Sequence, residues 1–330
     1  YFHGNNKSAE EITMALEAEV GCVVVDNRHE FELLRHLNSS RRPAGVLLRV
    51  ALGVDAVTHK YIQTGQHDSK FGFAIGGEDL EYVVAELLNG GNLQLNGFHS
   101  HIGSQISTLA NFHDAVVAMF AVVDTFRTKH GWTPIELNFG GGLGINYLST
   151  DDIAGIADFV NTVLSAAQEQ ANIRGIAPRF VIEPGRSIIG QAGTTLYSVG
   201  SIKRIPGVRN FLAINGGMTD NPRPALYQAK YECLVANKAL EIAHDTYSIA
   251  GRCCESGDML IWDYQLPAVE TGDILAVMAT GAYNYSMASN YNRIPKPAII
   301  LVKDGCARLM VERETYADMV RMDKKLGTTN

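Results

Sequence analysis

The chain has 330 residues, 46% hydrophobic and 19% charged, which is enough for a large core and two domains. A formal net charge of -7, with no basic cluster and no interleaving of aromatic and basic residues, argues against a nucleic-acid partner. The longest apolar runs read as strand length, short of a membrane span, and no signal peptide opens the chain, so no membrane partner is expected.

Tyr1-Phe2-His3-Gly4 opens the chain without a methionine, within or just after a strand, and reads as a cut end. Ser8 followed by Glu11 is a capping box, so a helix is predicted from there to Ala18, ended by Gly21. Cys22 to Val25 is a buried strand stopping at Asp26, and Arg28 to Leu37 is helical. Ser39 to Pro43 is a loop, Gly45 to Val50 a strand, and a polar loop runs through His67, Asp68 and Gly72. A helix over Glu78 to Leu88, a strand over Leu93 to His99 and a long helix over Asn111 to Lys129 follow. A strand then enters the triple glycine, Asp151-Asp152 opens a helix to about Asn172, and Phe180 to Ile182 is the last strand of the series.

About six strand–helix units can be read, where a closed barrel of this type has eight. The expected fold is therefore a (β/α) barrel over residues 1–189 with its first units absent, followed by an all-β domain over 190–330. The β segments of that domain are Thr195 to Ile202, Phe211 to Asn215, Thr246 to Ala250, Ile274 to Met278 and Ala298 to Val302. The expected form is a β-sandwich or Greek-key barrel, with a last short helix (Thr315 to Met322) returning to the first domain.

Five cysteines, Cys22, Cys233, Cys253, Cys254 and Cys306, are few and odd in number, which fits a reducing cytoplasm. With no Cys-x-x-Cys and no His-Glu-x-x-His, no metal site is expected.

Three strands end in chemistry. Phe98 to Ser104 ends in polar side chains, Ile135 to Gly144 in glycines, and Arg179 to Arg186 in a carboxylate, a Pro-Gly turn and an arginine. Barrels place their chemistry at these C-terminal strand ends. Glycine turns expose backbone N–H groups that can cradle a phosphate. A carboxylate beside such a cradle, here Glu183, suits a phosphorylated cofactor with a basic ring nitrogen, although a solvated strand-end glutamate reads equally well from the residues alone. A dinucleotide reading fails on spacing, because position 145 is Ile145 rather than glycine. His99 is expected on the opposite side of its strand from His101, as a satisfied core histidine.

His101 to Gln105 (His-Ile-Gly-Ser-Gln), Gly140 to Gly144 (Gly-Gly-Gly-Leu-Gly), Glu183 to Arg186 (Glu-Pro-Gly-Arg), Cys254 to Asp258 (Cys-Glu-Ser-Gly-Asp) and Gly281 to Tyr283 (Gly-Ala-Tyr) occur in that order. Together with Phe2 to Ser8 and Asp220 to Tyr227, this set resembles the fold-type III pyridoxal-phosphate decarboxylases and, among them, the diaminopimelate decarboxylase family. The resemblance covers nearly the whole chain. It implies decarboxylation of meso-2,6-diaminopimelate to L-lysine and CO2, the last step of lysine synthesis, with pyridoxal 5′-phosphate as cofactor.

By the resemblance, Glu183 faces the pyridine nitrogen, His101 stacks on the ring, and Ser104, Gly140, Gly141, Gly142, Gly185, Arg186 and Tyr283 hold the cofactor. Arg186, Arg223 and Tyr227 clamp the distal carboxylate of the substrate, Glu255 meets its ammonium, and Tyr283 borders it. Cys254 is the proton donor: a free thiol, with an ordinary pKa of about 8.5, is mostly protonated at neutral pH. Cys254 and Glu255 are implied to act in the neighbouring subunit's barrel, which makes the protein a head-to-tail homodimer.

The family's Schiff-base lysine, in a Tyr-Ala-x-Lys-Ala-Asn type motif, is not in this sequence, and Lys7 stands in a different context. An ornithine, arginine or carboxynorspermidine decarboxylase of the same fold, or a non-catalytic regulatory relative, are the alternatives. Glu255, where ornithine decarboxylases typically carry Asp, argues against the first of these.

Overall fold

The computed structural model describes residues 1–39, 43–54 and 69–325. The expected loop positions His67 and Asp68, and residues 40–42 of the earlier loop, lie outside the described residues. The chain divides into two compact units, Tyr1–Ile145 with Asp152–Ser187, and Asn146–Asp151 with Ile188–Asn330.

In the first unit, the strand Val23–Val25 and most of Ala44–Ala51 are buried on both faces, which favours a parallel sheet with crossover helices. The elements are α1 (Ala9–Glu17), β1 (Val23–Val25), α2 (Arg28–Leu37), β2 (Ala44–Ala51), β3 (Phe73–Ala74), α3 (Glu78–Leu88), β4 (Leu93–His99), α4 (Leu109–His130), β5 (Glu136–Asn138), α5 (Ile156–Arg174) and β6 (Arg179–Val181), followed by the helical turn α6 (Arg186–Ile189). The strand order is β1-β2-β4-β5-β6, all parallel, with β3 beside β2. Phe2 adds a parallel bridge to Val23 on the outer edge. Ser8 caps α1 through the expected capping box, accepting from Glu11 N at 3.2 Å while the Glu11 carboxylate accepts from Ser8 N at 2.8 Å.

The sheet is rolled. Neighbouring strands lie about 4.8 Å apart, so the edge at Phe2 and the end of β6 would be separated by roughly 20 Å or more if the sheet were flat. Yet the Tyr1 hydroxyl donates to Glu136 of β5 at 2.7 Å, and His3 meets Glu183, just past β6, at 2.9 Å. Only a strongly curved sheet brings these side chains together, and the curvature gathers the strand ends around one interior.

The helices cover the outer face. Phe112, Val116, Met119, Phe120, Val123 and Phe126 of α4 are all at most 3% exposed. Burying each such Phe contributes about 1.5–3 kcal/mol. Contrary to the expectation that apolar runs stop at strand length, α4 is 22 residues long and apolar enough to cross a bilayer by length and composition alone; 44% of its most apolar window is buried in the core.

A second correction concerns α5. It begins at Ile156 after Gly155, not at Asp151. The Asp151 carboxylate instead accepts from the backbone N–H groups of Tyr147 and Leu148, both at 2.9 Å, which closes a turn rather than opening a helix.

The second unit contains β7 (Thr195–Ile205), β8 (Arg209–Ile214), α7 (Arg223–Tyr227), β9 (Cys233–Val235), β10 (Asp245–Ala250), β11 (Met259–Leu266), β12 (Ile274–Val277), β13 (Ile299–Lys303), β14 (Cys306–Val311) and α8 (Tyr316–Val320). Its six-stranded sheet has the order β11-β10-β8-β7-β12-β9. All pairs are antiparallel except β8 and β10. The strands β13 and β14 form a separate antiparallel ribbon. The fold class is the expected one, a parallel barrel-type sheet followed by a β domain.

Candidate active site

Three strand ends and the segment after Phe2 deliver one polar cluster in the first unit. Glu183 follows β6. Its Oε1 accepts from His3 Nε2 and from Asn138 Nδ2, each at 2.9 Å, and its Oε2 accepts from His99 Nε2 at 3.2 Å. Three donors on one half-buried carboxylate set its charge state. Burial pushes the Glu183 carboxyl upward, but the hydrogen bonds from His3 and His99 outweigh it and hold the group well below the usual carboxylate range. His99 behaves in the opposite way: burial lowers it to about 4, against the pull of Glu183. The cluster is therefore an ionised carboxylate held by a neutral imidazole whose proton sits on Nε2. The other ring nitrogen, Nδ1 of His99, is buried with no partner among the described residues.

This overturns the expected position of His99. Positions 99 and 101 have the same parity, so period two places them on one face of the strand rather than opposite faces. His99 is the last residue of β4 and turns into the interior, 1% exposed, against Glu183. His101 is half-buried just beyond it, and its Nδ1 accepts from Gly141 N at 3.3 Å. Burial first, and then the Arg49 guanidinium, lower His101 to about 4.

The glycine turn is built by close approach. Gly140 has φ +66°, and a Cβ there would lie 2.4 Å from Ser100 O; a Cβ on Gly141 would lie 2.1 Å from Glu183 O. No side chain fits at either place. The N–H of Gly140 goes to Asn138 Oδ1 at 2.9 Å and that of Gly141 to His101. These two N–H groups thus brace the turn, which differs from the expectation that they meet a phosphate. Gly142 is at φ +115°, and Gly185 is exposed with open space around it. Arg186 is buried at the start of α6, and its Nη2 donates to Ser104 Oγ at 2.9 Å.

Asn138 and His3 escaped the sequence reading. Asn138 links the carboxylate to the glycine turn, and its position directly before Phe139 and the glycines was the available signal.

Lys7 is not available for cofactor chemistry. It is 5% exposed, and its three ammonium protons go to Gly4 O at 2.9 Å, Val24 O at 2.7 Å and the Glu30 carboxylate.

The remaining residues belong to the second unit. Arg223 opens α7 and is 5% exposed. Its guanidinium donates to the Tyr231 hydroxyl and lies 4.8 Å from the centre of the Tyr147 ring, so it is fixed by stacking rather than waving at the surface. Tyr227 ends the same helix, half-buried. Cys254 and Glu255 lie on an exposed loop. That loop is pinned by Asp258, which accepts from Met218 N at 2.6 Å and Cys253 N at 2.8 Å, and by Asn292, which accepts from Cys254 N at 2.8 Å. Burial first, then Asp258, pushes the Cys253 thiol up to about 11, as suits an inert neighbour. Tyr283 is 43% exposed in the left-handed region at φ +66°. A cavity of about 640 Å³ in this unit is lined by Pro224, Gln228, Gly257, Met259 and Trp262, the residues flanking α7 and the Cys254 loop.

The residues present fit a pyridoxal cofactor. An ionised, oriented carboxylate with one lone-pair position left is what a protonated ring nitrogen requires, and the side-chain-free turn beside it admits a ring.

Residues 1–190 match the family described as pyridoxal-dependent decarboxylase, pyridoxal binding domain. The chain is 52% identical over 330 residues to a diaminopimelate decarboxylase of Bacillus subtilis (strain 168), covering 99% of this chain and 75% of the relative. It is 43% identical over 328 residues to that of Staphylococcus aureus (strain COL), covering 98% of this chain and 76% of the relative. Among solved structures it resembles the M. jannaschii diaminopimelate decarboxylase in complex with L-lysine, with a TM-score of 0.90, 32% identity and coverage of 98% of this chain and 74% of that one.

Proposed function

The chain belongs to the pyridoxal-dependent decarboxylases, and from that premise we infer that it removes one carboxylate of meso-2,6-diaminopimelate to give L-lysine and CO2. The observation that carries this reading is Glu183, held ionised by His3, His99 and Asn138 inside the matched pyridoxal-binding segment.

When bound, pyridoxal 5′-phosphate supplies a protonated ring that takes up the electron pair left by the departing CO2. The lysine step is assigned to no residue of this sequence; the residues present take the other roles. Glu183 keeps the proton on the ring nitrogen, which only an ionised oxygen can do. Asn138 and His99 orient Glu183 without cancelling its charge, since both are neutral donors. His101 covers a ring face, and Ser104, Gly142, Gly185, Arg186 and Tyr283 hold the phosphate end. Arg186 binds a substrate carboxylate in the first unit. In the second unit, Arg223 and Tyr227 are assigned the same type of group and Glu255 an ammonium. Cys254 Sγ delivers the proton that replaces CO2.

The exposure of Cys254 and Glu255 supports their acting on a partner subunit's barrel in a head-to-tail homodimer. All five cysteines are free thiols, which suits the reducing cytoplasm we propose as the setting.

The test is release of labelled CO2 from carboxyl-labelled meso-diaminopimelate in the presence of pyridoxal 5′-phosphate. L-ornithine, L-arginine and carboxynorspermidine are run in parallel. Release from diaminopimelate alone is expected. Release from ornithine alone rejects the substrate, and uptake of cofactor with no release from any substrate favours a binding protein.

A further inference from the structure

The cluster that holds Glu183 is also a ligand set. His3 Nε2, His99 Nε2 and a Glu183 carboxylate oxygen lie within 4.8 Å of one another. His3 Nε2 is 2.9 Å from Glu183 Oε1, and His99 Nε2 is 3.2 Å from Glu183 Oε2. In a tetrahedral zinc site with bonds of about 2.0–2.1 Å, neighbouring ligand atoms stand about 3.3 Å apart. Two imidazoles and a carboxylate are a common donor set for Zn²⁺ or Co²⁺.

We propose that His3, His99 and Glu183 form a binding site for a zinc-class divalent ion, and that the ion and the cofactor ring exclude each other there. The exclusion rests on the reading of Glu183 given above; the metal binding does not.

The surroundings allow it. Side-chain exposure is 34% for His3, 26% for Glu183 and 2% for His99. One ligand is thus fixed in the wall and two stand on a rim that solvent reaches, which leaves a fourth position for water. Asn138 Nδ2 stays on the Glu183 carboxylate at 2.9 Å and fixes its angle, the outer-shell support that ligating carboxylates need. The nearby cation, Arg49, is offset by Asp26 at 3.7 Å. Proton balance is simple. His99, neutral, gives its Nε2 lone pair to the ion and carries its proton on Nδ1 instead, an atom with no partner among the described residues. No redox partner is needed.

The experiment titrates the cofactor-free protein with Co²⁺ and reads the visible band of a tetrahedral ion, with Zn²⁺ then added to displace it. One equivalent is expected, and His3→Gln, at an exposed position that spares the fold, weakens binding by at least about tenfold. His99→Gln, checked for native circular dichroism, does the same. Pyridoxal 5′-phosphate bleaches the band. No band, or a band indifferent to both substitutions, overturns the site. A band that depends on His3 but persists with the cofactor bound overturns the exclusion. Failure of metal-free protein to take up pyridoxal 5′-phosphate overturns the functional reading and leaves the metal site to be judged by the band.

Discussion

At the scale of single residues, the chemistry depends on which side chains stay neutral. A carboxylate faced by charged donors would spend its charge on them. Glu183 instead has Asn138 and a neutral His99 among its donors, so it keeps the negative charge that the proposed contact with a ring nitrogen requires. Glu183→Gln keeps the shape and removes the charge; we expect turnover to fall by about 10²-fold or more while the variant stays folded, as for loss of a preorganised electrostatic partner. Steady-state turnover with folding checked by circular dichroism decides it, and near-parental turnover would remove Glu183 from the role.

The same burial makes acid a denaturant. His99 and His101 are each lowered to about 4 in the folded protein. The unfolded chain takes up their protons as pH falls below the ordinary 6.5, while the folded chain refuses them until about 4. The contribution of these two residues is therefore intact above 6.5 and is lost progressively between 6.5 and 4, by about 3 kcal/mol per residue at the lower end. Buried Glu30, raised to about 7, takes up its proton first in the folded chain and opposes this loss, so the test is a difference: urea midpoints should fall less, or rise more, from pH 7 to pH 4 in His99→Gln than in the parent. An unchanged slope in that variant rejects the account.

The type and order of these strand-end residues were legible in the sequence. The role of His99 was legible too, from its parity with His101, and was misread. The part played by Asn138 was not legible, because an asparagine at a strand end has many possible partners and only the roll of the sheet selects Glu183.

At the scale of elements, the spans expected for α2, α3 and β4 from the sequence pattern, Arg28–Leu37, Glu78–Leu88 and Leu93–His99, are those of the structure. Strand β11 was missed for a physical reason. Ser248 and Asp263 bond to each other across the β10–β11 pair at 3.0 and 3.1 Å, Asp263 sits at φ +47°, and the register shifts there. A bulge of this kind breaks the alternation by which strands are read.

Two element contacts carry predictions. Lys7 ties the segment before α1 to β1 through Val24 O and to α2 through Glu30. Lys7→Met leaves the Glu30 carboxylate buried without its cation, and we expect a loss of about 3–5 kcal/mol. The double variant Lys7→Met with Glu30→Leu should recover most of it. Denaturant midpoints of the three proteins test this, and a double variant as weak as the single one would contradict it. Gly141→Ala forces a Cβ to within 2.1 Å of Glu183 O, so either β6 or the glycine turn must move. We expect cofactor affinity to drop at least about tenfold with little change in helix content, because a shift of about 1 Å at a site is costly. Calorimetric titration with pyridoxal 5′-phosphate reads the outcome.

At the scale of the whole molecule, the motif order identified the family, because five short patterns in sequence rarely coincide by chance. Assembly is a different matter: the exposure of Cys254 and Glu255 is a property of one chain. If Cys254 serves the partner's barrel, the defect in a Glu183→Gln subunit and the defect in a Cys254→Ala subunit fall in the same site of a mixed dimer. The other site of that dimer then carries neither. Random reassociation at equal amounts makes half the dimers mixed, so about a quarter of parental turnover should return from two nearly inactive proteins. If each Cys254 serves its own barrel, every site in the mixed dimer carries one defect and nothing returns. Cys254→Ala alone should bind cofactor with unchanged affinity, since the thiol is assigned only the final proton. Turnover of the mixture therefore separates a shared site from a private one without any need to see the interface.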